Sequence, residues 1–91
     1  MAYLVYVIKA IGRNLRYVGL TSKEIDEKIR EHNSGESGFT RRYKWKLLYY
    51  ERGYCRKCAR EREKFLKSGQ GRKILDLIEI DKSEEKKGNS S

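Results

Sequence analysis

Tyr3-Leu4-Val5-Tyr6-Val7-Ile8-Lys9-Ala10 is an almost unbroken run of aromatic, β-branched and aliphatic residues, and it constrains the chain more than any other segment. Such a run reads as a strand, and a strand needs a partner for its backbone donors and acceptors. Gly12-Arg13-Asn14 carries turn chemistry, and Leu15–Leu20 reads as a second strand, so the two predict a hairpin. Thr21-Ser22-Lys23-Glu24 has the spacing of a capping box and predicts a helix start. Ile25, Ile29 and His32 fall on one stripe of that helix. Asn33-Ser34-Gly35 closes it, because Asn and Gly tolerate a left-handed cap. Residues 33–43, rich in Gly, Ser and Thr, read as a mobile loop.

Trp45–Glu51 predicts a third strand, with Trp45, Leu47 and Tyr49 on one face. Cys55, Cys58, Ala59, Arg62 and Leu66 recur at helical spacing and predict a helix over 54–67. Ser68-Gly69-Gln70-Gly71 breaks it, and Ile74, Leu75, Leu77 and Ile78 predict a short third helix over 72–79. From Asp81 the chain is Lys, Glu, Ser, Gly and Asn, which predicts a disordered polar tail over 81–91 and one domain over 1–80. The order β-β-α-β-α-α describes an α+β domain with a small antiparallel sheet.

The chain has 91 residues, 37% hydrophobic and 38% charged, so its core is thin and its surface charged. No apolar run approaches the roughly 20 residues of a membrane span. Leu4–Ile8 is too short for a signal-peptide core, and two cysteines are too few for a disulfide framework. A membrane protein, a disulfide-stapled secreted domain and a multidomain enzyme are the classes excluded, and a reducing, cytoplasmic compartment is the expectation. Residues 41–73 hold thirteen basic and three acidic residues, so the whole surplus of the +9 chain lies there. A solvated charged face is the plain reading. Tyr43, Trp45, Tyr49, Tyr50 and Tyr54 interleave with those charges, which favours a polyanion partner, nucleic acid first.

Few residues can carry chemistry. His32 is the only histidine, and Lys28 precedes it by one helical turn. The hairpin offers Tyr6 and Tyr17, and the second helix offers Glu61 and Glu63 in a field of Arg and Lys. A carboxylate in a basic surface can hold Mg²⁺ while the cations hold phosphates, as phosphodiester hydrolysis requires. Each residue has a plainer reading. His32 is equally a hydrogen-bonded structural residue, a strand Tyr equally packing, and Glu61 and Glu63 equally i,i+4 partners of Lys57 and Lys67. Cys55-x-x-Cys58 resembles half a zinc site or a redox pair. With one His and no further Cys it is short of zinc ligands, and it reads as structural or incidental.

Taken in order, the pieces resemble the compact single-domain branch of the GIY-YIG endonuclease family. Leu4-Val5-Tyr6 and Tyr17-Val18-Gly19 stand where the family has its two hairpin tripeptides; the first departs from the family name and keeps its Tyr. Arg30-Glu31-His32-Asn33-Ser34-Gly35 resembles the family's helix end, and Thr40-Arg41-Arg42 with Trp45–Glu51 its third strand. Ala59–Arg72 resembles the stretch with the metal-binding glutamate. The resemblance covers residues 3–78. It implies a three-stranded antiparallel sheet flanked by helices and a DNA endonuclease with little intrinsic sequence specificity, acting on DNA that includes branched or nicked forms. It also implies one Mg²⁺ or Mn²⁺ on Glu63, with Tyr6, Tyr17, Lys28 and His32 as the remaining catalytic residues and Glu61 ranked below Glu63. Arg41, Arg42, Lys44, Lys46, Arg60, Lys67 and Arg72 are the expected backbone-binding cations. Lys28 stands where the family has an arginine. It keeps the charge and loses the bidentate fork, which leaves a cleavage-impaired nucleic-acid-binding module as an alternative. A domain that meets an acidic protein partner is a third reading.

Overall fold

The computed structural model describes residues 2–34 and 43–89. Its elements are β1 (Tyr3–Ala10), β2 (Arg16–Thr21), α1 (Ile25–Asn33), β3 (Trp45–Tyr54), α2 (Arg56–Lys67) and α3 (Gly69–Asn89). The sheet is antiparallel in the order β2-β1-β3, so the most apolar strand lies in the middle. This is the α+β fold with a three-stranded antiparallel sheet that the sequence predicts. Gly12 makes the hairpin turn at φ +79°, a conformation that glycine adopts without a Cβ penalty.

Period-2 alternation splits β1 between two cores. Val5 and Val7 face Val18, Leu48, Ala59, Leu66 and Leu75 beneath α2 and α3. Leu4, Tyr6, Ile8 and Ala10 face Ile25 and Trp45, with Ile29 and Leu47 packed alongside, beneath α1. Both faces of β1 are covered, which is why its sequence lacks the polar alternation of a half-exposed strand.

Several local expectations are corrected. Thr21 ends β2, and its Oγ1 accepts from Lys23 N at 3.0 Å, a turn of its own rather than a helix cap. Glu24 is the N-cap of α1, without a side-chain cap bond, and Ser34 closes the helix in a right-handed conformation. Most of the 33–43 loop, with Gly35, lies outside the described residues. β3 runs three residues beyond Glu51, and register shifts opposite Val7/Ile8 and Tyr3/Leu4 break its alternation. Leu47 therefore packs with Tyr6 and Ile8, whereas Leu48 and Tyr49 turn to the other core. The three residues Trp45, Leu47 and Tyr49 do not share one face. Gly53 sits at the second irregularity at φ +98°, the left-handed region in which bulges favour glycine.

α2 buries Ala59 and Leu66, but Cys55 and Cys58 are exposed and take no part in the core. Cys55 lies before the first helical residue, where a side chain caps rather than packs. Gly71 lets the start of α3 press on α2: a Cβ there would collide with Phe65 O and Leu66 Cα. α3 is much longer than the 72–79 helix predicted, and its backbone continues through the segment after Asp81. Lys and Glu are good helix formers and no proline interrupts them. Arg16 to Asp76 at 2.8 Å, and Lys9 to Glu79, tie α3 back to the hairpin.

Candidate active site

Tyr6 leaves the centre of the sheet and His32 leaves the last turn of α1, and their side chains meet. Tyr6 Oη and His32 Nε2 are hydrogen-bonded at 2.8 Å, with both residues at most 2% exposed. Tyr17, from β2, sets its ring 5.2 Å from His32 and 6.4 Å from Tyr6, measured between centroids. The two tyrosines and the histidine, 26 residues apart at the extremes, form one aromatic cluster.

Gly19 makes this arrangement possible. It pairs with Tyr6 across the hairpin. A Cβ on Gly19 would lie 2.6 Å from Tyr6 Oη, 2.7 Å from Cζ and 3.0 Å from Tyr17 Cε1. Neither Gly12 nor Gly53 has an atom within 4 Å of such a Cβ, so those two are needed for φ and Gly19 for space. Asn33 fixes the other side of the cluster. Its Nδ2 donates to Trp45 O at 3.0 Å and its Oδ1 accepts from Trp45 N at 2.6 Å, joining the end of α1 to the start of β3. In the sequence, Asn33 stands out only at the helix end and Gly19 only as part of a tripeptide. A non-local clash and a backbone clamp leave no periodic signal.

Glu63 projects from α2 near enough to act on Tyr6. Burial pushes the Tyr6 phenol well above its ordinary range, and the charges of Tyr17, Glu63 and Glu31 push it in the same direction. Burial and the Lys28 charge push the His32 imidazole down, against a smaller opposite pull from Glu31. The ground state is a neutral imidazole beside a protonated phenol. Glu63 is 22% exposed and accepts an ion pair from Lys67 at 3.3 Å, the i,i+4 pair anticipated from spacing. Lys28 Nζ lies 3.3 Å from Glu31 Oε1, and Lys23 holds the same carboxylate. The two lysines keep Glu31 below the usual carboxylate range, the hydrogen bond from Lys23 having the larger effect. Glu31 is a member of the cluster that the sequence reading does not single out.

The setting of α2 depends on Glu51. Its two oxygens accept from Arg62 Nε and Nη2, both at 2.9 Å, and from the hydroxyls of Tyr49 and Tyr54. This network, with Arg62 foremost, lowers the Glu51 carboxyl to about 2, while burial and Glu51 push Tyr49 up to about 12. A bidentate arginine fixes orientation as well as distance, so the Arg62–Glu51 pair sets how α2 lies against β3.

The expected backbone-binding cations are not all in one place. Lys67 and Arg72 line a cavity of about 510 Å³ with Tyr17, Arg16 and Asp76, next to the aromatic cluster. Arg60 lines a separate hollow of about 360 Å³ with Arg56 and Lys57. Lys44 and Lys46 are exposed at the start of β3, and Lys44 Nζ donates to Asn33 O at 3.3 Å. Arg41 and Arg42 lie outside the described residues. Glu61 is exposed and does not join the cluster. Among the described residues no group of three or more His, Cys, Asp and Glu could hold a metal by itself. Mg²⁺ commonly keeps several waters and takes one or two carboxylates plus substrate phosphates; Glu63 offers one carboxylate, paired with Lys67.

A search of curated proteins and a search of solved structures each return no match. The family model for the GIY-YIG catalytic domain matches residues 2–74, which spans the sheet, α1, α2 and the whole cluster around Tyr6. The chain therefore belongs to the GIY-YIG family, whose nuclease-type domain it folds into.

Proposed function

We propose that this protein is a metal-dependent DNA endonuclease that hydrolyses phosphodiester bonds with little intrinsic sequence preference. The observation that carries the reading is the bonded Tyr6–His32 pair with Tyr17, Lys28 and Glu63 around it. A neutral imidazole is a proton acceptor, and a phenol bonded to it can take a proton from water while giving its own to Nε2. Tyr6 thus acts as one half of a relay rather than as a free phenolate, which its burial and the carboxylate of Glu63 disfavour. The attacking water loses its proton to Tyr6 Oη, His32 gains one, and the 3′ oxygen leaves the phosphorus. Tyr17 orients the water or the scissile phosphate from the cleft side. Lys28 neutralises non-bridging oxygens once it exchanges Glu31 for substrate. Glu63 is the residue that would hold a Mg²⁺ or Mn²⁺, and such an ion would supply positive charge for the leaving oxygen. Lys67 and Arg72 grip the flanking backbone, contacts that position DNA without reading bases.

A binding module without cleavage is the second reading. It is favoured by one observation, that Lys28 stands at the family's arginine position and is engaged by Glu31. Supercoiled plasmid incubated with the protein in Mg²⁺ or Mn²⁺, and in EDTA, separates the two. Metal-dependent nicking by the parent supports the endonuclease. Nicking by Lys28→Arg alone assigns the parent to the binding reading. Silence from both counts against cleavage on this scaffold.

A further inference from the structure

Among the described residues, Cys55-x-x-Cys58 is a pair of reactive groups that the cleft does not use. Both thiols are exposed and reduced, at the junction where β3 passes into α2. Cys55 caps α2: its Sγ accepts from Cys58 N at 3.2 Å. Residues three apart at a helix start lie on one side, and the two thiols are near enough to hydrogen-bond with each other. Cβ atoms at the usual spacing of about 5–6 Å must draw in to the roughly 3.5–4.5 Å of a disulfide, a small adjustment at a helix end. The two thiols are also inequivalent. The Cys55 thiol is pushed down by the Cys58 side chain and by backbone N–H groups, and the Cys58 thiol is pushed up by Cys55. Arg56, Lys57 and Arg60, interleaved with the pair in sequence, line a hollow of about 360 Å³ to which neither cysteine contributes, and the Lys57 charge reaches the Cys58 thiol.

The geometry points to a redox site here: a vicinal dithiol that closes to a Cys55–Cys58 disulfide by exchange with a small anionic disulfide, drawn in by Arg56, Lys57 and Arg60. Cys55 thiolate attacks one sulfur of the incoming disulfide, its S–S bond breaks, and the first thiol leaves with a proton from solvent. Cys58 loses its proton and attacks Cys55 Sγ, the mixed disulfide breaks, and the second thiol leaves. The protein dithiol is oxidised by two electrons and the small disulfide is reduced to two thiols. The closed bridge locks the β3–α2 junction. It is independent of whether the cleft cuts DNA.

Full-length protein incubated with glutathione disulfide at neutral pH provides the test, read by intact mass and thiol titration. Expected are loss of both thiols, a mass lower by two hydrogen atoms, a monomer and no retained adduct. Cys58→Ser keeps one glutathione adduct, mapped to Cys55. Cys55→Ser reacts more slowly than Cys58→Ser, because Cys55 stands at the helix N-terminus, where the attacking thiolate is favoured. Added salt slows the reaction with glutathione disulfide and speeds that with cystamine, a cationic disulfide. Persistence of both thiols, two retained adducts, a disulfide-linked dimer, equal rates in the single variants, or the same salt response to both reagents overturns the proposal.

Discussion

Gly19→Ala is the smallest change that should dismantle the cluster. Its new methyl group would stand 2.6 Å from Tyr6 Oη and 2.7 Å from Cζ, separations that real Cβ atoms do not show. Tyr6 cannot swing away cheaply, because it is 1% exposed and bonded to His32. Overpacking of this kind costs about 1–3 kcal/mol, and the lost hydrogen bond about 1 kcal/mol more. The sum, about 2–4 kcal/mol, corresponds to a fall in Tm of roughly 10–30 °C for a domain of this length. Thermal unfolding followed by circular dichroism measures it, beside two controls. Gly69→Ala meets nothing within 4 Å and should shift stability by no more than about 1 kcal/mol. In a Tyr6→Phe background the hydroxyl clash and the bond are gone but the Cζ clash remains, so Gly19→Ala should cost less there yet still destabilise. A Gly19→Ala protein that melts within a few degrees of the parent would refute the argument that Gly19 is needed for space.

Other expectations follow from the same geometry. Asn33→Ala removes both bonds to the Trp45 backbone and should cost about 2–3 kcal/mol, read as a lower urea midpoint with unchanged slope. Stability should fall on acidification in two windows, because both groups bind protons more tightly when unfolded. His32, lowered in the fold, destabilises as pH drops below its ordinary 6.5, and Glu51 does so between its ordinary 4.5 and about 2. Glu51→Gln should flatten only the lower window in urea titrations run against pH. Binding of a short DNA duplex should weaken with a log–log salt slope of about −3 or steeper, since each phosphate contact contributes about −0.9. A flat slope in fluorescence anisotropy would remove the phosphate clamp.

Much of this architecture is legible in the sequence where the cause is local. The β1 run, the Gly12 turn and the Ile25–Ile29–His32 stripe each follow from spacing, and they bring Tyr6, Tyr17 and His32 to one place. What spacing misses is non-local. The extra residue at Leu48 turns Tyr49 to the other core, because register depends on pairing with β1 rather than on the strand's own pattern. The role of Gly19 arises from a phenol thirteen residues away, and that of Asn33 from a backbone twelve residues away. Thr21 fits a capping box by composition yet belongs to β2, because pairing with Leu4 holds it in the sheet. The cysteines match a helical stripe but stand at its capping end, where exposure rather than packing decides their chemistry.

Single-turnover cleavage of an end-labelled DNA duplex in Mg²⁺ or Mn²⁺, with the parent beside Glu63→Gln, decides whether this cleft hydrolyses phosphodiesters. Glutamine keeps the size of the side chain and removes its charge, so the fold should stand and circular dichroism should confirm it. Metal-dependent cleavage by the parent and a loss of about 100-fold or more in the variant are expected, the scale of removing a group that stabilises transition-state charge. Equal cleavage by both proteins would contradict the assignment of Glu63 and, with it, the mechanism built on the Tyr6–His32 cleft.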